Sequence, residues 1–385
     1  MVILDKPYVS ADLCAYLQET SLPVLRNCVS EAMAQYFDLH LVEDDPFAQL
    51  LESGQRLYTT SEDGLAWVYK HARGASLLET IRVMKDKYAL RKALQPMFPD
   101  LRFREMTLPE LRVADTAELS FPLIIKPSVG FFSLGVYSVA NAREWEHAVA
   151  DLESTIRSWR AEYPDTVLDD SRFLVEQYIP GDEYAADCYF DADGKAIILN
   201  VMKHTFTSDA DVSDRLYSTS ADIIRSKLEP LTSLLTEANA LIGARNFLAH
   251  VELRDNGQRL YPIEYNPLRF CGWCTTDIAK YAYGINTCDY YLRDMVTDWG
   301  AILDRTDDSI FSLIVLPKPG SSMGPDALDQ EALRETVTEV LDLRCIEDPG
   351  CPIFGFLFSR TPSAKVAELD RITHSDMREF IKKGQ

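Results

Sequence analysis

The feature that most constrains the fold is the alternation of polar and apolar residues across 250–267, which predicts a β-hairpin. The segment, HVELRDNGQRLYPIEYNP, carries an Asn-Gly pair near its middle. Strand side chains alternate between two faces, so the register of the two strands decides which residues lie together. A three-residue loop at 256–258 predicts that Val251 lies opposite Ile263 on an apolar face.

The same register predicts a polar face that carries His250, Glu252, Glu264 and Asn266, with His250 across from Glu264. A two-residue Asn-Gly turn would instead put the two glutamates on opposite faces. Carboxylate and amide oxygens suit Mg²⁺, which keeps several waters and shares substrate phosphates. The face therefore predicts a metal site of Glu252, Glu264 and Asn266. The alternative is the solvated polar face of an edge hairpin.

The charge of the chain limits its partners. Its 385 residues suggest two or three compact units, and 60 acidic against 39 basic residues give a net charge of −21. Such a field repels nucleic acid and anionic lipid, so we expect neither as a partner. A bound polyphosphate would need a local cluster of lysine and arginine.

No apolar run approaches the roughly 20 residues of a membrane span, and the start, MVILDKPYVS, lacks the features of a signal peptide. These patterns predict a cytoplasmic protein. The eight cysteines are scattered, and a reducing compartment would keep them as thiols. Cys271 and Cys274 form a lone CxxC without a second pair, which supports zinc poorly and leaves a redox pair as the alternative.

The pattern of elements predicts mixed α/β and α+β structure. Short strands and helices alternate over the first 85 or so residues, which indicates a small βαβ domain. Apolar spacing predicts one helix across 76–94 and a helix at 221–242 interrupted near Pro230. The tail is predicted to be a small α+β piece that contains a helix at 332–343.

A second polar segment lies at the end of a predicted strand. Lys126 precedes a loop that contains two glycines and two serines, and the apolar pair Phe131-Phe132 at the tip of this loop resembles a closing flap. Glycine lets a backbone approach a ligand closely, and successive amides can cradle phosphate oxygens. The residues predicted to contact phosphate are Lys126, Ser128, Gly130, Ser133 and Gly135. The alternative is an ordinary hairpin turn.

The third segment spans residues 176–183, where a strand ends at Pro-Gly and another strand begins with a carboxylate. Backbone groups of Glu176, Gln177, Tyr178 and Ile179 are candidates for contact with an adenine edge, and Glu183 for contact with ribose hydroxyls. The alternative is a surface turn with acidic residues.

In order and spacing, these segments resemble the ATP-grasp superfamily over roughly residues 75 to 300. The resemblance implies an ATP-grasp fold with a pre-ATP-grasp-like domain at 1–85, an ATP-grasp domain at 86–300 with a lid at about 120–180, and a C-terminal extension at 301–385. It implies that Lys87 and Lys126 bind the phosphates of ATP, that 176–179 is the hinge and that Glu183 binds ribose. Glu252, Glu264 and Asn266 would hold two Mg²⁺ ions.

The resemblance also implies a function, that of a carboxylate–amine ligase acting on amino acids through an acyl phosphate. Many members carry Arg directly after Asn-Pro; here Leu268 intervenes, and we assign that role to Arg269. Lys203 is a further candidate for phosphate contact and His250 for proton transfer; a solvated strand end is the alternative for Lys203. Small-molecule substrates and a homodimer are the expected partners. An ATP-grasp enzyme with a thiol acceptor and a non-catalytic nucleotide-binding protein are the alternatives.

Overall fold

The computed structural model describes residues 1–130, 135–162, 171–207, 214–320 and 323–382. The chain divides into two compact units. Unit 1 comprises Met1–Gly181, Cys188–Ile197 and Thr232–Cys274, and unit 2 comprises Asp182–Asp187, Ile198–Leu231 and Thr275–Gln385. The domain boundaries at 85/86 and 300/301 stay predictions. Within the described ranges, no helix combines the length and the apolarity needed to cross a membrane.

Unit 1 begins with a parallel four-stranded sheet of order β3-β2-β1-β4. Its strands are Val2–Ile3 (β1), Val24–Leu25 (β2), Leu41–Val42 (β3) and Tyr58–Thr59 (β4), and its helices are Ala11–Thr20 (α1), Cys28–Met33 (α2), Asp44–Glu52 (α3) and Gly64–His71 (α4). Helices between parallel strands cover the sheet, which is why β1, β2 and β4 are buried, while the edge strand β3 is half-buried. The predicted βαβ beginning is confirmed.

Two helices follow where one was predicted. They are Ala75–Lys85 (α5) and Lys87–Leu94 (α6), separated by Asp86 in an extended conformation. The Asp86 carboxylate accepts a hydrogen bond from the Ala89 amide at 2.9 Å, which caps α6. The single helix predicted across 76–94 is therefore wrong, because the aspartate ends one helix and starts the next.

A second sheet in unit 1 is antiparallel, with order β5-β8-β6-β7. Its elements are Phe103–Thr107 (β5), Leu108–Val113 (α7), Leu123–Pro127 (β6), Tyr137–Val139 (β7), Ala142–Glu162 (α8) and Arg172–Gln177 (β8). One hydrophobic core, which includes Trp145 and Phe173, fills the space between α8 and the sheet. At the start of α8, the Glu144 amide donates to the Asn141 side chain at 3.1 Å, which caps the helix.

The division between the units passes inside three of the next four elements. These elements are Asp182–Phe190 (β9), Ala196–Thr205 (β10), Leu216–Ser220 (β11) and Ala221–Ile242 (α9). The predicted interruption near Pro230 is wrong, since α9 continues through it. Leu231 and Leu235 are fully buried, and burial of such a face stabilises a helix more than propensity does.

The segment at 250–267 forms the predicted hairpin, but with a different register. Its strands are Phe247–Asp255 (β12) and Leu260–Pro267 (β13), so the loop has four residues, 256–259. Asp255 pairs with Leu260, and the register shifts by one residue between Glu252 and Leu253. The extra residue is Ile263, which forms a β-bulge beside Pro262, a position where a strand tolerates proline.

Unit 2 contains an antiparallel run of strands in the order β10-β11-β14-β16-β15. Its further elements are Ile278–Tyr283 (α10), Thr287–Leu292 (α11), Trp299–Leu303 (α12), Ser309–Pro317 (β14), Gln330–Arg334 (α13), Glu339–Cys345 (β15), Ile353–Pro362 (β16) and Ala367–His374 (α14). The helix predicted at 332–343 is wrong, because α13 ends at Arg334 and β15 follows. The β-branched residues around Val337 favour the strand.

Candidate active site

The bulge at Ile263 brings the two glutamates of the hairpin to one face. Glu252 lies directly opposite Glu264, and His250 lies opposite Asn266. Directly opposed residues of an antiparallel pair share a face. The predicted pairing of His250 with Glu264 is therefore wrong. With the four-residue loop and no bulge, the two glutamates would face opposite ways.

Asn266 is the buried member of this polar face, with 1% of its surface exposed. Its Nδ2 donates to Glu252 Oε1 at 3.3 Å. Its Oδ1 is buried and, among the residues that the structure describes, accepts no hydrogen bond. A buried acceptor without a donor costs free energy, and a cation would satisfy it. His250 Nε2 lies 3.7 Å from Glu252 Oε1, with the ring almost wholly buried.

Lys87 reaches the same face from α6. Its Nζ lies 2.9 Å from Glu264 Oε1 and donates to the Gly130 carbonyl at 3.2 Å. Lys87 is the first residue of α6, and its own amide donates to the Ser128 carbonyl at 2.7 Å. The helix start thus fixes where the ammonium lies, and only 5% of the residue is exposed.

The bulge also supplies carbonyl groups to two cations. Lys126 Nζ donates to the Ile263 carbonyl at 3.4 Å, and Arg91 donates to the Pro262 carbonyl. Glu176 joins the two cations, with Oε1 at 2.8 Å from Lys126 Nζ and Oε2 bonded to Arg91 Nε. Burial disfavours the charged carboxylate, but Arg91 and Lys126 outweigh this effect and lower the pKa of Glu176 to about 2.

Sequence reasoning did not single out Arg91. Its residue surface is 4% exposed, and its Nη2 has no hydrogen-bond partner within the described part of the chain. A buried arginine needs a carboxylate partner. Arg91 follows Lys87 by one helical turn on α6, and this spacing is the sequence signal that could have pointed to Arg91.

The loop after Lys126 differs from the prediction at Ser128. The Ser128 hydroxyl donates to Glu105 Oε1 at 3.0 Å, and its amide donates to the Arg172 carbonyl at 2.9 Å. Both donors are engaged within the protein, and the contact of Ser128 with phosphate stays a prediction. Gly130 contributes its carbonyl to two lysines, and Gly135 has a positive φ of 71°. Ser133, like Phe131 and Phe132, lies outside the described residues.

Two amides of the predicted hinge are already engaged. The amide of Gln177 donates to the Arg102 carbonyl at 2.9 Å, and that of Tyr178 donates to the Pro122 carbonyl at 3.1 Å. An amide has one proton to donate, so neither remains for an adenine ring. Ile179, the last residue of the hinge, is buried.

The remaining predicted residues belong to unit 2. Glu183 is buried, and its Oε1 lies 2.9 Å from His204 Nδ1. The His204 ring stacks on Tyr217 with ring centres 4.2 Å apart. Lys203 Nζ lies 2.9 Å from Asp182 Oδ2 in a half-exposed ion pair. The structure therefore places these two predicted side chains in a separate unit from the hairpin face.

A further charged cluster in unit 1 surrounds Glu62, which sequence reasoning missed. Glu62 Oε1 lies 3.0 Å from Arg269 Nη2, and its Oε2 is bonded to Lys85 Nζ. Burial opposes ionisation of Glu62, but Lys85 and Arg269 lower its pKa to about 2. No local pattern marks Glu62, because its partner Arg269 is 207 positions away.

Comparison with known proteins identifies the domain that carries these residues. A family model described as an ATP-grasp domain matches residues 119–277, which include Lys126, the hinge and the hairpin. Among curated proteins, no sequence matches the chain.

Solved structures with the same fold cover nearly the whole chain. The L-amino acid ligase from Bacillus licheniformis is 17% identical, with a TM-score of 0.68 over 99% of this chain and 97% of that chain. The N5-carboxyaminoimidazole ribonucleotide synthetase from Thermotoga maritima is 12% identical, with a TM-score of 0.62 over 99% and 98%. A biotin carboxylase domain from Hydrogenobacter thermophilus, crystallised with ADP and its magnesium salt, is 13% identical, with a TM-score of 0.61 over 99% and 90%. Residues 119–277 therefore match an ATP-grasp domain, and the chain has the ATP-grasp fold of these solved structures.

Proposed function

We propose that this protein is an ATP-dependent ligase that joins a carboxylate to an amine, with amino acids as substrates and an acyl phosphate as intermediate. The observation that carries the proposal is the buried Asn266 Oδ1 beside Glu252 and Glu264, which accepts no hydrogen bond from any residue in the described ranges. This oxygen lies on the same hairpin face as Glu264, which Lys87 already contacts. A site of this kind suits a metal-bound phosphate group.

The residues present fit magnesium. Two carboxylates and an amide oxygen are hard ligands, and Mg²⁺ accepts one or two carboxylates together with phosphates and waters. Across the described ranges, no group of three or more His, Cys, Asp or Glu could hold a metal alone. ATP phosphates would therefore complete the coordination, and we expect two ions. When bound, Mg²⁺ would offset the charge that builds up on the transferred phosphoryl group.

The cations of unit 1 supply the remaining charge stabilisation. Lys87 and Lys126 are buried lysines that would turn from their carboxylate partners to the phosphates of ATP, acting as fixed positive charges in a water-poor site. Arg269 would hold the carboxylate that is activated, since a guanidinium can donate two parallel hydrogen bonds. Glu183 and Lys203 are assigned to ribose and phosphate, and His250 to proton transfer.

The most specific part of the proposal is that the substrates are amino acids. It is supported by the similarity to an L-amino acid ligase over 99% of the chain. The other neighbours named above are a synthetase and a carboxylase with the same fold, so the substrates differ among proteins that share this fold.

Release of ADP in the presence of Mg-ATP and all pairwise combinations of the common amino acids tests the proposal. We expect ADP release that requires a particular amino acid or pair, together with a product of the combined mass less water. Asn266→Ala and Glu264→Ala should each lower this turnover at least 100-fold. Glu79→Gln is the matched control, because Glu79 pairs with Arg82 in an exposed ion pair.

Other outcomes separate the alternatives. If ADP release required a thiol and not an amine, the acceptor in the reaction would be a thiol. Tight Mg-ATP binding without ADP release, under every combination of substrates, would overturn the proposal in favour of a nucleotide-binding protein.

A further inference from the structure

The loop after β4 is tied to the segment that follows the hairpin. The Thr59 amide donates to the Leu268 carbonyl at 2.8 Å, and the Thr59 hydroxyl donates to the same carbonyl at 3.1 Å. Leu268 is buried and has a positive φ of 57°, so the chain turns sharply there. Tyr58 and Phe270 pack beside this contact with ring centres 5.6 Å apart. These contacts bring Arg269 next to the loop.

Arg269 is held at both terminal nitrogens. Its Nη2 donates to Glu62 Oε1 at 3.0 Å, and its Nη1 donates to the Phe270 carbonyl at 3.1 Å. Its Nε is buried and has no hydrogen-bond partner within the part of the chain that the structure describes. The guanidinium is thus fixed in direction, and of its five N–H donors the two cited bonds use only one on each terminal nitrogen, which leaves donors, Nε–H among them, for a ligand.

Glu62 is fixed in turn by Lys85, the last residue of α5. Lys85 Nζ is bonded to Glu62 Oε2 and donates to the Gly130 carbonyl at 3.1 Å. That carbonyl also accepts from Lys87, which pairs with Glu264. A continuous series of charged contacts therefore leads from Arg269 through Glu62 and Lys85 to the face predicted to bind the metal.

We infer that Glu62 is a positioning residue that aims the Arg269 guanidinium at the substrate carboxylate, with Lys85 holding Glu62 in place. This inference rests on the proposed ligase function. Glu62 itself contacts two cations and not the substrate. The only anion that either terminal nitrogen of Arg269 contacts within the described ranges is Glu62, so the direction of Nε depends on this carboxylate.

Glu62→Asp and Glu62→Gln separate position from charge. The aspartate keeps the charge but withdraws the carboxylate by one methylene, and the glutamine keeps the length but loses the charge. A displacement of about 1 Å in a site can lower reactivity by about 100-fold. For Glu62→Asp we expect the KM of the amino acid whose carboxylate is activated to rise about 10- to 100-fold, with the KM of ATP changed by less than about 3-fold.

A purely structural role would give a different result. It would lower the melting temperature and the amount of folded protein, while the KM of that amino acid stayed within about 3-fold of wild type. That result in Glu62→Asp would overturn the inference, even if Glu62→Gln failed to fold. Glu79→Gln, in the exposed pair with Arg82 on α5, is the control for both parameters.

A second measurement needs no substrate. A guanidinium bonded at both terminal nitrogens rotates slowly, so ¹⁵N-labelled protein should show separate Arg269 side-chain resonances, assigned by their loss in Arg269→Lys. We expect Glu62→Gln to average these resonances and Glu79→Gln to leave them unchanged. Unchanged resonances in Glu62→Gln would overturn the inference. If wild-type protein released no ADP with any amino acid, the proposed function would fail, and the resonances alone would decide the role of Glu62.

Discussion

Lys87 Nζ lies 2.9 Å from Glu264 Oε1, although the two residues are 177 positions apart. One of them is predicted to bind phosphate and the other to bind magnesium. In the absence of both ligands, each side chain neutralises the other in a buried setting. If Lys87 binds phosphate and Glu264 binds magnesium as proposed, nucleotide and metal should each strengthen the binding of the other, because phosphate competes for the lysine while the metal competes for the carboxylate.

Glu264→Gln tests this exchange. In this variant, Lys87 does not have to break an ion pair with residue 264 before it contacts phosphate. We therefore expect ADP, in the presence of EDTA, to bind the variant about 3- to 10-fold more tightly than it binds wild type, in line with an ion pair worth about 1 kcal/mol. The increase in ADP affinity that Mg²⁺ gives to the wild-type protein should be absent in Glu264→Gln. Isothermal titration calorimetry with and without Mg²⁺ measures both effects. Glu252→Gln, which keeps the pair between Lys87 and Glu264, should lose the magnesium effect alone. Equal metal-free affinity in all three proteins would contradict the exchange.

The two buried glutamates predict how stability depends on pH. The pKa values of Glu62 and Glu176 are lowered from 4.5 to about 2, so their ion pairs stabilise the fold fully above about pH 4.5 and less as the pH falls towards 2. Each should contribute on the order of 3 kcal/mol to the free energy of unfolding at neutral pH.

Urea unfolding between pH 5.5 and pH 2.5 measures this contribution. The difference in stability between wild type and Glu62→Gln should shrink as the pH falls below about 4.5, since Glu62 of wild type then becomes protonated in the unfolded chain while it stays ionised in the folded protein down to about pH 2. Glu79→Gln, at an exposed position, should track wild type throughout. A difference that stays constant with pH would show that folding does not lower the pKa of Glu62.

Gly181 follows the hinge and approaches the hairpin closely. A Cβ at Gly181 would lie 2.0 Å from the Asp255 carbonyl oxygen, and the residue has a φ of 115°. Gly257 in the hairpin loop has a φ of 82° with no atom within 4 Å of its Cβ position. We expect Gly257→Ala to cost about 1–2 kcal/mol of unfolding free energy through backbone strain and Gly181→Ala at least about 3 kcal/mol, because a clash is added. Chemical denaturation measures both, and similar losses would argue against the close approach.

Arg344 in unit 2, whose side chain is 10% exposed, makes a three-way contact that a lysine cannot reproduce. Its Nη1 lies 2.6 Å from Asp277, its Nε lies 2.7 Å from Asp342, and its Nη2 lies 3.1 Å from the Tyr281 hydroxyl. Because lysine lacks the planar fork of donors, Arg344→Lys should lower the free energy of unfolding by about 3 kcal/mol. Arg360 also pairs with two carboxylates but is 37% exposed, so Arg360→Lys should cost less than about 1 kcal/mol. A comparable loss in both variants, measured by urea unfolding, would rule out burial as the cause.

Patterns of neighbouring residues predicted the secondary structure of the site better than they predicted the contacts between its side chains. The hairpin, the polar face and the cap of α8 follow from alternation and capping residues, which act over a few positions. The two glutamates were expected on one face, but for the wrong reason: the predicted loop was one residue short, and the bulge at Ile263 was not foreseen. A bulge depends on the partner strand, which local pattern does not reveal.

Contacts across long stretches of chain were beyond sequence reasoning. Glu62 lies in a loop whose residues, Ser61 and Asp63 among them, resemble any polar turn. Its role depends on the Thr59 contact with Leu268, which joins segments 209 positions apart. The helix predicted at 332–343 failed for a related reason, since pairing of β15 with β16 outweighed the helical spacing of its apolar residues.

Because of the bulge at Ile263, the length of the turn at 256–259 determines whether Glu252 and Glu264 lie on one face. A surface loop usually accepts insertions and deletions, because its residues make few contacts. Here a single codon lost or gained at 256–259 would rotate one glutamate away from the other, unless a matching change occurred beside Pro262. Homologues of this chain should therefore change the length of this turn by two residues at a time. A change of one residue in the turn should occur together with loss of the bulge from the strand.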